Sequence, residues 1–120
     1  MAERPTAVLD ANVLFPFQLR NLLLWLAVEA LYDPLWSDEI IDECTRNLRR
    51  QGLMTEVQCA HLIAQMRAHF PDAWGVGYDG RADDLALPDP GDRHVVALAL
   101  DYEAEFIITR NARGSHSLVQ

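Results

Sequence analysis

The stretch Thr6-Ala7-Val8-Leu9-Asp10 decides how the rest of this chain is read. It is a short β-favouring, apolar run without polar alternation, the pattern of a buried strand, and it stops on a carboxylate. A second run of this kind, Glu105-Phe106-Ile107-Ile108-Thr109, lies near the other end and stops on a hydroxyl. Helical periodicity fills most of the chain between them. Strands alternating with helices predict an α/β sandwich around a mainly parallel sheet. In such sheets ligands bind beyond the carboxyl ends of the strands, so Asp10 and Thr109 are expected to face one crevice.

Working outward, a polar turn is expected after Asp10. From Phe17 to about Tyr32 apolar residues at 19, 22, 23, 26 and 30 follow the helical period, with Pro16 where a helix start tolerates it. Leu24, Trp25 and Val28 widen the apolar surface and leave Arg20, Asn21 and Glu29 as the main polar residues, so a second face is expected to be covered, by a partner or a second subunit. Pro34-Leu35-Trp36 reads as a break. Ser37 caps a helix through Arg50, with Asp38 and Glu39 in its first turn and Gly52 beyond its end. Thr55 and Gln58 have capping-box spacing for a helix to about His69, closed by Pro71. Trp74 to Tyr78 reads as a short strand, Asp79 to Pro88 as an acidic loop, and Asp89-Pro90-Gly91-Asp92 as the start of a helix to about Tyr102. Asn111 to Gln120 shows no periodicity, so residues 1–114 are assigned to the domain and 115–120 to a polar tail.

A length of 120 residues fits one domain, and a composition half hydrophobic and 23% charged excludes disorder. The longest apolar run, Leu22 to Val28, is far shorter than the roughly 20 residues of a membrane span, and the first residues lack a signal pattern, so a cytoplasmic protein is expected. Eighteen acids against ten bases, all arginine, give a net charge of −8, which disfavours non-specific binding of a polyanion unless a cation neutralises a local acidic cluster. Cys44 and Cys59 stand alone and read as reduced thiols in or near the core. Trp25, Trp36 and Trp74 read as packing residues. The four histidines have no zinc spacing, and hydrolase and phosphate-loop motifs are absent.

What remains is carboxylate chemistry. Asp89 and Asp92, three residues apart, share one side of a first helical turn. Glu43, flanked by Ile40 and Cys44 at helical spacing, falls near the buried side, where a carboxylate is costly unless paired or bound to metal. Convergent carboxylates suit Mg²⁺ or Mn²⁺, which activate water and stabilise the oxygens of a phosphodiester displacement. Each acid also has an ordinary explanation. Asp10 can close a turn, Asp89 can cap a helix, Asp92 can complement the helix dipole, and Glu43 can pair with Arg46 or Asn47.

Val8-Leu9-Asp10-Ala11-Asn12-Val13-Leu14, Ser37 with Glu43, Leu87-Pro88-Asp89-Pro90-Gly91-Asp92-Arg93-His94-Val95 and Ile107-Ile108-Thr109-Arg110-Asn111 together resemble the PIN domain family, in the right order over most of the chain. The resemblance implies a three-layer α/β/α sandwich with a mainly parallel central sheet. It implies a metal-dependent ribonuclease in which Asp10, Glu43 and Asp92 are acidic ligands, Asp89 an accessory acid, and Asn12, Thr109 and Asn111 polar supports. Mg²⁺ or Mn²⁺ would be the cofactor and RNA the substrate. A toxin role with an antitoxin partner is a further implication, while a homodimer is expected from the wide apolar surface of the first helix. Arg46, Arg49 and Arg50 are candidates for RNA phosphate contacts, or simply a solvated helix end. One departure stands out: where relatives carry a further Asp and an aromatic residue, this chain has Gly114 and Ser115, so a fourth acid and a final piece of the fold are expected to be missing. A catalytically inactive protein- or RNA-binding module is the competing expectation.

Overall fold

Ala7, Val8 and Leu9 are all buried in the computed structural model, which describes residues 4–78 and 93–110 and the backbone of 116–119. They belong to β1 (Thr6–Leu9), an inner strand of a four-stranded sheet ordered β2-β1-β3-β4. β2 (Asp33–Leu35) and β3 (Phe106–Arg110) flank β1, both parallel to it, with Val8 opposite Leu35 on one side and Ile107 on the other. β4 (His116–Val119) runs antiparallel to β3 with Thr109 opposite Ser117. The α/β sandwich around a mainly parallel sheet is therefore as the sequence predicts. The run read as a polar tail instead adds a strand: β3 offers a free edge, and backbone pairing there needs no hydrophobic periodicity.

Asp10 leads directly into a one-turn helix, α1 (Ala11–Leu14), rather than a simple turn. α2 (Phe17–Val28) follows but stops short of Tyr32, because Ala30 turns into the left-handed region at φ 63°. One expectation for this helix fails, and one of its polar residues is unexpectedly placed. Arg20 is buried at 3% exposure, whereas Trp25, read as a packing residue, is 59% exposed beside Leu22 and Val28.

Pro34 does not break the chain but lies inside β2, where proline is tolerated because the strand is at the sheet edge. Asp33 N–H donates inward to Pro5 O at 2.8 Å, so alternation turns the position of Pro34, which lacks an N–H, to the outer side. The predicted strand at Trp74–Tyr78 shrinks to a single bridge, Trp36 to Trp74, framed by Trp36 N–H to Ala73 O and Gly75 N–H to Trp36 O, both 2.8 Å. Gly77, at φ +79°, leaves extended geometry and ends the pairing.

The capped helices form where their signals predict. In α3 (Asp38–Arg50) Ser37 Oγ accepts from Ile40 N–H, and Gly52 reverses the chain at φ 72°. In α4 (Glu56–His69) the Thr55–Gln58 box closes in both directions. α5 (Arg93–Asp101) then leads back to β3. The proposed start at Asp89-Pro90-Gly91-Asp92 and the acidic loop before it lie outside the described residues. Trp36, fully buried, meets Phe70 and Trp74 edge-on at 5.8 and 5.3 Å and joins Val8, Leu9, Leu14, Ile40 and Leu98 in the core. Cys44 and Cys59 are buried free thiols. No helix among the described residues is long and apolar enough to cross a membrane.

Candidate metal centre at the carboxyl end of the sheet

The parallel register carries Asp10 to the end of β3. Its N–H continues the ladder to Ile108 O at 3.1 Å, and its extended backbone makes it the N-cap of α1. Both carboxylate oxygens are oriented: Oδ1 accepts from Ala11 N–H at 2.7 Å and Oδ2 from the Thr109 hydroxyl at 2.8 Å. The two strand-ending polar residues that the sequence singled out are thus directly bonded. Asn12, the second residue of α1, completes the joint. Its Oδ1 accepts from Arg110 N–H at 3.0 Å, its amide donates to Arg110 O, and the Thr109 oxygen lies 3.3 Å from Oδ1.

α1 packs against α3, the helix that carries Glu43. Glu43 is half-buried, and the pairing with Arg46 that would make it an ordinary surface acid does not form: Arg46 bonds Asp42 at 2.8 Å instead. Neither Asp10 nor Glu43 forms an ion pair with a described residue. Arg49 and Arg50 are exposed in the last turn of α3. Asp89, Asp92 and Asn111 lie outside the described residues, and among those described no three His, Cys, Asp or Glu side chains group closely enough to hold a metal ion. The donor chemistry of Asp10 nonetheless fits a hard cation. Each carboxylate oxygen accepts one hydrogen bond and keeps acceptor capacity, and no described basic side chain competes for it.

Four residues near this end carry roles that sequence reasoning did not assign. Arg110 stands at the end of β3 with Nε buried and without a hydrogen-bond partner among the described residues, as does Arg93 at the start of α5. Glu39, one turn before Glu43, is bonded to Tyr78 and neighbours His94. Arg20 donates to the last carbonyls of α1, Leu14 O at 2.8 Å and Phe15 O at 3.1 Å, so it anchors the far end of the helix that Asp10 caps. Burial holds its guanidinium pKa below the usual value, and the same burial pushes the neighbouring Cys44 thiol up to about 11.

A mainly parallel α/β sheet with an oriented carboxylate beyond the end of an inner strand defines a class of domain that presents hard oxygen donors at one edge. Within that class, the family described as PIN domain matches residues 6–113, and the chain belongs to that family. The family has a nuclease-type fold; its members are generally metal-dependent ribonucleases and typically use divalent metals. No curated protein and no solved structure matches the chain.

Proposed function

We propose that this chain is an Mg²⁺- or Mn²⁺-dependent endoribonuclease in which Asp10, Glu43 and Asp92, with Asp89, hold the cation, and that it serves as the toxin of a toxin–antitoxin pair in the cytoplasm. The observation that carries the reading is the Asp10 carboxylate, fixed by Ala11 N–H and Thr109 Oγ1 with no described cation beside it. When bound, the ion supplies Lewis acidity towards phosphate and acidifies water. The chain's own residues do the positioning. Thr109 and Ala11 hold both oxygens of Asp10 in one orientation, so less ordering remains to be done when a cation arrives. Asn12 clamps the start of α1 to the main chain of Arg110 and keeps that orientation in register with β3. Among the described residues, Arg49 and Arg50, exposed and free of ion pairs, are the candidates for RNA phosphate contacts, whereas Arg46 must first leave Asp42.

The test is cleavage of a labelled unstructured RNA with Mn²⁺, Mg²⁺ or EDTA, beside Asp10→Asn and Asp92→Asn variants prepared identically. Metal-dependent cutting that disappears in both variants supports the reading, and cutting that persists in both refutes it. The variants are expected to stay folded, and without metal to be as stable as the parent or more so, because repulsion among carboxylates is relieved. A second reading, an inactive binding module, is favoured by the exposed apolar residues of α2, Leu22, Trp25 and Val28, and by Gly114 and Ser115 standing where the resemblance implies an acid. A folded chain that binds a partner protein or a second copy but never cuts RNA would support it.

A further inference from the structure

Glu39 is on the first turn of α3, and its side chain is 54% exposed, yet it is tied to the interior. Its Oε1 accepts a 2.7 Å hydrogen bond from the Tyr78 hydroxyl, and His94 Nδ1 stands 4.0 Å from Oε2. Tyr78 is only 6% exposed, so its ring is anchored in the core and the carboxylate comes to it. Three separate pieces of chain therefore meet at one side chain: the first turn of α3, the segment beyond the Trp36–Trp74 bridge, and the first turn of α5. The neighbouring acids behave differently. Asp38 pairs with Arg67 of α4 at 3.2 Å and Asp42 with Arg46 of α3 itself.

Residues 39 and 43 are four apart, so they share one face of α3. The face held towards Tyr78 and His94 is thus the face that bears Glu43. On the other side of the joint stands His94, in the first turn of α5. We infer that Glu39 is a positioning residue: clasped by Tyr78 with His94 beside it, it fixes the Glu43 face of α3 relative to the first turn of α5 and thereby sets how the Glu43 carboxylate meets a cation. The inference rests on the metal reading above, and it gives a role to an acid that has no ligand function of its own. A half-exposed hydrogen bond adds little to global stability, so the effect is expected on affinity rather than on folding.

The experiment compares Tyr78→Phe, Glu39→Ala and Glu39→Gln with Asp38→Ala in the full chain. Mn²⁺ affinity is followed by the resonance of the free ion, and amide exchange over α3 and α5 is measured without metal. Tyr78→Phe and Glu39→Ala should weaken Mn²⁺ binding about tenfold, the range seen when the group orienting a ligand is lost. Both should also speed exchange at the start of α5, with little change in melting temperature. Glu39→Gln, whose amide oxygen still accepts from Tyr78, should keep binding within about twofold of the parent, and Asp38→Ala should change neither readout. Parental affinity in Tyr78→Phe and Glu39→Ala, or an equal loss in Asp38→Ala, overturns the inference. If the parent takes up no Mn²⁺, the metal reading falls, and the exchange arm alone decides Glu39: unchanged protection at α5 refutes its positioning role.

Discussion

Arg20 sits in an amphipathic run, Leu19-Arg20-Asn21-Leu22, where local pattern puts a cation in solvent. In the fold it is buried, because the carbonyls at the end of a one-turn helix have no intrahelical partners and the guanidinium Nη1 donates to two of them, Leu14 O and Phe15 O. Arg20→Met should therefore destabilise the chain by about 2 kcal/mol, as the loss of charged hydrogen bonds to buried carbonyls outweighs the relief of a buried charge. Arg20→Lys, with one compact ammonium, should recover only part of this; urea denaturation of the three proteins checks the order. The same contrast separates the site residues. Asp10 and Thr109 were legible because each closes an apolar strand. Glu39 was not, since its partner lies 39 residues away and a sequence does not show which phenol a carboxylate meets.

At the scale of elements, the helices with local signals, α3 and α4, formed with the caps that their sequences prescribe. Elements defined by neighbours did not announce themselves. β2 contains a proline and became a strand because β1 supplies a parallel partner, while the run at Trp74–Tyr78 kept only one bridge. Gly75 shows how tight that bridge is. A Cβ there would stand 2.4 Å from Leu98 Cδ1 and 3.1 Å from Tyr102 Cε1, and Leu98 has no exposed surface into which to move. Gly75→Ala should cost about 2 kcal/mol by overpacking. Adding Leu98→Val should make the alanine cheaper than it is alone, a coupling that a double-mutant cycle on thermal unfolding would reveal. Additive losses would mean that the loop yields instead of the core.

At the scale of the whole molecule, burial sets a pH limit. Cys44 is raised from an ordinary 9.0 to about 11, first by desolvation; Arg20 pulls it down, and Cys59 and Glu43 push it up. The folded state therefore holds the thiol proton more tightly than the unfolded chain. The stabilisation is complete below pH 9 and is lost as pH climbs through about 11. A two-unit shift is worth about 2 to 3 kcal/mol at most. Urea midpoints should fall over this window, and Cys44→Ala, though weaker at neutral pH through lost packing, should fall less steeply. Parallel slopes would remove Cys44 as the cause.

The amino-acid sequence by itself determined the alternation of strand and helix, the caps of α3 and α4, and the chemistry gathered at strand ends, because these depend on neighbours within a turn or two of chain. Tertiary structure decided the edge strands β2 and β4, the burial of Arg20, the exposure of Trp25 and the clasp between Glu39 and Tyr78. Each of these depends on which distant surface a residue meets, and a hydrogen-bond donor, a carbonyl or a strand edge carries no label in sequence that names its partner.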